Sequence, residues 1–462
     1  MSIYKACDIR GVAGKELTAQ TYAGFGRGLA AMMGAQRRIV VGGDLRVSTP
    51  EFRAALVRTL SEEGKAVVDL GVAPTPAVYF AKRHLGVYAC AIVTASHNPF
   101  DQNGLKFMLG EIPVLPEDLR RLEDLVAHPP PRAQHDPATA LNYPDLGRDY
   151  ESFLRKTLDA VVPETPSAPP MRVIVDAGNG TFWKWGPEFI GRLAGVEAQK
   201  LFCLPDGYFP GRDPNCAVPE NLTDLCARVR DRKAALGVAF DGDGDRVAFV
   251  DDEGVVLHPD EMMVVLLRAL GTRMRGRLVV YDLKCSMVVD RETRRLGGLA
   301  LMERSGHAFI KRRMISEGAD LGGEVSGHYF WRELFGGDDG LFTAMLLIRL
   351  LQRGGRPLSA LRREVPARFI TPDIRLACAP DAAADLQQRV KTAFPADRWS
   401  DLDGVRVEFA RGWGLLRTSI TEPKITLRFE GEDAASLKEV MAQFLAVMPE
   451  FRDAAMRAAG AA

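Results

Sequence analysis

Three stretches of this 462-residue chain repeat one coarse pattern, and that pattern limits the fold more than any other feature. They are RRIVVGGDLRVSTPEFRAALVRTLSEEGKAVVDLG (37–71), MRVIVDAGNGTFWKWGPEFIGRLAGVEAQKLF (171–202) and RLVVYDLKCSMVVDRETRRLGGLALMERSG (277–306). Each opens on a β-branched run, turns on Gly, Asp or Ser, continues as an amphipathic helix and ends in a second apolar run. This is the spacing of βαβ units, so mostly parallel sheets covered by helices are expected. Identity between the stretches is low, which makes the repeat one of structure. Proline-rich segments at 127–144 and 162–170 read as linkers or surface excursions. A break near 363–372 precedes a region of different character. There VRVEFARGWGLLRTSITEPKITLRFEG (405–431) reads as paired strands and 434–448 as a helix, a smaller α+β domain.

At this length several domains are expected. Lys plus Arg and Asp plus Glu are 60 each, so no global field points to nucleic acid or an anionic membrane. No apolar stretch is long enough to span a bilayer, and the N-terminus lacks the apolar core of a signal peptide. The seven cysteines are scattered, with no C-x-x-C pair. This fits a reducing, cytoplasmic setting.

Four short stretches carry candidate chemistry. In TASHNPFDQNGLKF (94–107), Ser96 follows an apolar strand and is flanked by His97 and Asn98, with Lys106 close behind. A lone serine before Asn-Pro most often caps a helix or turn. The neighbouring donors favour a hydroxyl that handles an anion. In DGDGDR (241–246), Asp241, Asp243 and Asp245 alternate with glycine. Three acids in five residues repel one another unless a cation lies between them, and hard carboxylate oxygens suit Mg²⁺. An EF-hand fails here, because Arg246 and Asp252 stand where that loop needs Gly and Glu. In GGEVSGHYF (322–330), Glu324, Ser326 and His328 can bond vicinal hydroxyls. An ordinary polar turn is the plain alternative. In GWGLLRTSITEP (412–423), Arg417, Thr418, Ser419 and Thr421 form a cluster of phosphate-type donors. Arg10, Lys284, His307 and Lys311 are lesser candidates, and Asp338 and Asp339 read as a cap and turn. The chain has no P-loop and no convincing dinucleotide fingerprint.

TASHNP, DGDGDR, GEVSGH and RTSITEP, with CDIRG near the start and NGLK after the serine, together resemble the α-D-phosphohexomutase superfamily. The resemblance runs over essentially the whole chain. GEVSGH, SGHAFIK and GWGLLRTS are most similar to its bacterial phosphomannomutase/phosphoglucomutase branch. It implies an α/β fold of four domains around a central active-site cleft. Three would have similar mixed α/β sheet cores, and the C-terminal one would be a TATA-binding-protein-like α+β domain. The limits expected are 1–142, 143–252, 253–366 and 367–462.

The resemblance also implies reversible phosphoryl transfer between O1 and O6 of mannose or glucose phosphates, through a phosphoserine at Ser96 and a bound 1,6-bisphosphohexose. One Mg²⁺ would be held by Ser96, Asp241, Asp243 and Asp245, with glucose or mannose 1,6-bisphosphate as activator. Ser96, His97, Lys106, Arg246 and His307 are the implied catalytic set, with Lys106 as general base. Arg10, Lys284, Glu324, Ser326, His328, Arg417, Ser419 and Thr421 would bind substrate. A fourth-domain lid hinged near 366–372 and a monomer or weak dimer, with no nucleic-acid or membrane partner, complete the expectation. Two positions depart from the family. Ile420 replaces Asn or Gly in the phosphate loop, and Cys7 stands where bacterial relatives often have Tyr. Phosphoglucosamine mutase is the alternative enzyme, although Val325 fits the mannose/glucose branch better. A metal-dependent phosphatase and a silent sugar-phosphate binder fit the four loops less well.

Overall fold

The computed structural model describes residues 2–131, 138, 140–165, 170–418 and 423–460. The parts of the two proline-rich stretches at 132–137, 139 and 166–169 lie outside these residues.

The three expected repeats share one topology. In the first, strand Arg38–Gly43 runs parallel to Ala66–Val72 on one side and to Ala89–Val93 on the other, and Ala89–Val93 turns back into antiparallel Gln102–Leu109. In the second, Met171–Asp176 lies between Val196–Leu201 and Leu236–Phe240, which turns back into Val247–Val250. In the third, Leu278–Asp282 lies between Leu299–Glu303 and Leu321–Gly323, which turns back into Tyr329–Trp331. The shared order is fourth, third, first, second strand. The third strands ACAIV and LGVAF are buried at every residue. That burial explains their unbroken apolar runs, since helices cover both faces of such a sheet.

Helix Gly340–Gly354 is apolar around almost its whole circumference, so it must be buried on all sides. It wedges between the second and third sheets, whose side chains merge with Tyr150, Leu154 and Leu158 of helix Leu146–Val161 into one core. The first repeat and the C-terminal region keep cores of their own.

The C-terminal region is an antiparallel sheet in the order Phe369–Ile370, Lys424–Gly431, Gly412–Thr418, Val405–Phe409, Trp399–Ser400, backed by helices Pro380–Ala393 and Ala434–Leu445. It is the α+β domain expected from the sequence. Polar bonds seat it on the third repeat. The buried Glu430 carboxylate accepts from Met287 N–H at 2.8 Å, from Trp413 Nε1 at 2.5 Å and from the Ser286 hydroxyl. Lys284 Nζ donates to Asp373 at 3.0 Å.

Candidate active site

Each repeat puts one polar loop at the same point, the turn that leaves the carboxyl end of its third strand. Residues 94–101, 241–246 and 324–328 occupy that turn in the three repeats. The carboxyl ends of parallel strands are where an α/β sheet opens a crevice. The loops meet there. Thr75 donates its N–H to the Asp243 carbonyl at 2.9 Å and its hydroxyl to the Asp243 carboxylate at 2.7 Å. Val247 N–H donates to the Gly327 carbonyl at 3.0 Å, and Arg246 and His328 form a backbone bridge. Gly242 allows the closest approach, because a Cβ there would lie 2.6 Å from the Ser96 carbonyl oxygen.

Ser96 is buried, and its φ of 51° is left-handed. A non-glycine residue held there costs about 1–3 kcal/mol. Arg46, itself fully buried, holds the loop in that shape. Its Nη2 donates to the carbonyls of Ser96 (2.9 Å) and Asn98 (2.6 Å), and its Nη1 to those of Gln102 (3.0 Å) and Pro99. Its Nε donates to Asp44 at 3.0 Å, and Thr94 and Thr49 donate to the same carboxylate, each at 2.7 Å. Hydrogen bonds from a charged donor are worth about 1.5–3 kcal/mol each, so the clamp outweighs the strain. Arg10 grips the other side, with Nη1 donating to the Ala95 carbonyl (2.8 Å) and Asn98 Oδ1 (2.5 Å) while its Nε and Nη2 bind Asp8. Arg46 and Thr75 were not singled out from the sequence. Their only signals were an Asp-x-Arg after an apolar strand and a Pro-Thr-Pro at a helix start.

The Ser96 hydroxyl donates to Asp241 Oδ2 at 2.8 Å, and His97 Nδ1 lies 3.3 Å from it. Asp241, Asp243 and Asp245 are all buried, with oxygens within 4.8 Å of one another. Burial, then Asp243 and Asp245, push the Asp241 carboxyl up to about 7. Asp243 Oδ1 is buried with no hydrogen-bond partner among the described residues. Crowded, under-satisfied carboxylate oxygens fit a hard divalent cation.

Lys106 lies against this cluster, its Nζ donating to Asp243 Oδ2 (2.7 Å) and Asp245 Oδ2 (2.5 Å). Burial alone would lower its pKa, but the two carboxylates outweigh burial and raise it. In this arrangement Lys106, the expected general base, balances the charge of the two carboxylates. Asp245 is kept well below the usual carboxylate range, since Lys106 and His328 overcome its burial.

His328 Nε2 lies 3.3 Å from Asp245, and its Nδ1 lies 3.1 Å from Glu324 and 2.9 Å from the Ser326 hydroxyl. Burial opposes its protonation, yet Asp245 and the hydrogen bonds to Asp245 and Glu324 raise it to about 9. Glu324 is correspondingly lowered to about 2, with the bond to His328 outweighing burial. His307, first residue of helix His307–Glu317, stacks 5.7 Å from His328. Burial lowers it to about 4, and its Nε2 has no partner among the described residues. It is thus not a satisfied structural histidine. Arg246 lies 3.9 Å from Asp241.

The fourth loop is looser. Arg417 pairs with Asp403 at 2.7 Å and is more than a quarter exposed. Ser419, Ile420 and Thr421 lie outside the described residues. Lys284 is engaged with Asp373 across the domain junction. Asp339 caps helix Gly340–Gly354, its carboxylate accepting from Phe342 N–H at 2.9 Å, as expected. Asp338 stands 3.7 Å from His328. Cys7 is partly buried, and desolvation raises its thiol to about 12.

Known families match these four regions in order. Domains I, II and III of phosphoglucomutase/phosphomannomutase, each described as alpha/beta/alpha, match residues 1–131, 149–254 and 258–369, and the C-terminal domain matches 374–447. The chain belongs to the phosphoglucomutase/phosphomannomutase family. It is 35% identical to phosphomannomutase/phosphoglucomutase of Pseudomonas putida, over 98% of this chain and 97% of that protein. It is 34% identical to a phosphoglucomutase of Neisseria gonorrhoeae, over 96% of each. A solved phosphoglucomutase/phosphomannomutase family protein from Burkholderia thailandensis superposes with a TM-score of 0.86 at 34% identity, covering 99% of this chain and 98% of that one. The α-D-phosphohexomutase resemblance of the four loops is therefore a family relationship over the full length. Among the described residues no helix is long and apolar enough to cross a membrane.

Proposed function

We propose that this chain is a hexose-phosphate mutase that moves a phosphoryl group between O6 and O1 of mannose or glucose phosphates. The observation that carries the reading is a buried serine hydroxyl 2.8 Å from one of three clustered carboxylates, with a second polar loop packed alongside. In the resting enzyme Ser96 carries the phosphoryl group. The free hydroxyl of a hexose phosphate attacks that phosphorus, the bond to Ser96 Oγ breaks, the hydroxyl proton passes to Ser96 Oγ, and a 1,6-bisphosphohexose forms. It turns over in the cleft and returns its other phosphoryl to Ser96, giving the isomeric monophosphate. Glucose or mannose 1,6-bisphosphate recharges an enzyme that has lost its phosphate.

Such transfer depends mainly on positioning and charge stabilisation. Mg²⁺, held by Asp241, Asp243, Asp245 and the Ser96 phosphoryl, supplies charge neutralisation when bound. Lys106 and Arg246 add positive charge, His97 adds a donor, and His307 lies beside the attacking hydroxyl. Glu324, Ser326 and His328 hold sugar hydroxyls. Arg417, Ser419 and Thr421, with Lys284 and Arg10, hold the distal phosphate. The fourth domain closes over substrate about a hinge near 366–372, where Arg368 pairs with Asp260 at 2.6 Å and Glu261 at 2.8 Å. The domain limits of 142, 252 and 366 belong to this reading, as does action as a monomer or weak dimer. A cytoplasmic setting is supported by seven cysteines that are all free.

The test is a mutase assay with Mg²⁺ and a trace of glucose 1,6-bisphosphate. Turnover of mannose 1-phosphate and glucose 1-phosphate, lost with EDTA, is expected. Preference for glucosamine 1-phosphate would move the chain to the phosphoglucosamine branch, and phosphate release without isomerisation would overturn the mutase reading.

A further inference from the structure

The cations proposed for the distal phosphate are all paired. Lys284 holds Asp373 at 3.0 Å, Arg417 holds Asp403 at 2.7 Å and Arg10 holds Asp8 at 2.7 Å. A phosphate that reaches any of them must first displace a carboxylate. A further cation at the same edge of the third repeat has no carboxylate to displace.

Strands Leu278–Asp282 and Leu299–Glu303 run parallel, with Asp282 opposite Glu303. Lys284 leaves the carboxyl end of the first and Arg304 the carboxyl end of the second, so both stand where the crevice opens. Two bonds tie these ends together. Leu283 N–H donates to the Glu303 carbonyl at 2.8 Å, and the Ser305 hydroxyl donates to Asp282 Oδ1 at 2.6 Å. Gly306 then turns the chain into helix His307–Glu317 with a φ of 128°. A Cβ on Gly306 would lie 3.0 Å from Phe309 Cδ2 and 3.2 Å from Cys7 Sγ. The turn that carries Arg304 is thus packed against Cys7 of the first domain and leads directly to His307.

The guanidinium carbon of Arg304 lies 4.3 Å from the Phe309 ring centroid, near enough to Cys7 for its charge to act on that thiol. A ring face supports a cation but takes little of the hydrogen-bonding capacity of its five N–H groups. The side chain has no ion pair and no hydrogen bond among the described residues, and its Nε is buried without a partner. The preceding acid does not serve it. Glu303 accepts from the Arg304 backbone N–H at 2.9 Å and faces Arg313 at 3.6 Å. A guanidinium is always charged, and its planar fork matches a phosphate.

We infer that Arg304 is a phosphate-binding residue of the cleft, the cation that first captures the non-reacting phosphate of an incoming hexose phosphate. The inference rests on the mutase reading. Lys284 and Arg417 then close on the same group by giving up Asp373 and Asp403.

Titration calorimetry with glucose 6-phosphate on the full chain, beside mutase kinetics, tests this. Arg304 is partly exposed and makes no side-chain hydrogen bond among the described residues, so Arg304→Gln keeps the fold. That variant is expected to weaken glucose 6-phosphate binding and to raise KM, each by about 10-fold, with a much smaller change in kcat. Arg304→Lys, which keeps the charge without the fork, should fall between the two. Binding and KM unchanged in Arg304→Gln would overturn the inference and leave the mutase reading standing. So would a loss confined to kcat, or a lysine variant as weak as the glutamine one. Absence of isomerisation would count against the mutase reading alone, because the affinity for glucose 6-phosphate still decides on Arg304. No binding of glucose 6-phosphate by the unmodified chain at millimolar concentration would overturn the inference outright.

Discussion

The serine–aspartate region and the Arg417 region are built by opposite means. Around Ser96 the cations are largely buried and paired: Arg46 by Asp44 and four carbonyls, Arg10 by Asp8, Lys106 by two carboxylates. Arg417 is partly open to solvent, with one ion pair to Asp403. Exposed ion pairs contribute about 0–1 kcal/mol, so under the proposed function Arg417 is free to exchange Asp403 for a phosphate. The contrast separates two tasks. Under the proposed function, chemistry at Ser96 needs a fixed geometry set before substrate arrives, and a substrate that must bind in two orientations needs a holder that lets go.

The comparison predicts a graded series. Ser96→Ala removes the proposed phosphoryl carrier and should lower kcat on the order of 10⁴-fold or more, with no phosphate found by intact-mass measurement after treatment with bisphosphohexose. Full activity in that variant would break the scheme. Arg46→Lys keeps the charge but not the four-carbonyl clamp. It should reduce kcat by about 10²-fold, the cost of misplacing a reacting group by about 1 Å. KM should stay nearly constant, and the rate of serine phosphorylation should fall in parallel. A change confined to Tm would reduce Arg46 to a fold-stabilising role.

Arg417→Ala should act the other way, raising KM about 10-fold through loss of a charged hydrogen bond while serine phosphorylation stays normal. A kcat-only defect would erase the distinction between the regions. The smallest effect is on stability. Asp241 titrates at about 7 in the folded chain, because of burial and its neighbours Asp243 and Asp245, against 3.8 ordinarily. Stability from this group is therefore full below 3.8 and is lost as pH climbs through 7. In EDTA, Asp241→Asn should raise Tm by about 2–4 °C at pH 8 and by less at pH 5, with no mutase activity at either pH. No gain at pH 8 would mean that Lys106 already neutralises the cluster.

Much of this site was legible in the sequence because its parts are contiguous. Ser96 with His97, the Asp-Gly-Asp-Gly-Asp run and the Glu324–His328 stretch each carry several functional groups within one turn. Arg46 was not legible, because it acts on backbone carbonyls some 50 residues away that no side-chain pattern records. Thr75 escaped notice for a similar reason, since its partner Asp243 is 168 positions distant. Lys106 was legible as a candidate, but its contacts with Asp243 and Asp245, 137 and 139 positions away, were not.

The sequence by itself determined the repeated strand–helix–strand units and the loops that follow their third strands. Apolar periodicity and glycine placement are local properties, so a chain displays them without being folded. The tertiary structure alone decided the shared position of the three loops, the burial of helix Gly340–Gly354 between two sheets, and the charge states. A titration point depends on the distances to every neighbouring charge and on the water removed around it. Those quantities come into being only when residues far apart in the chain are packed together.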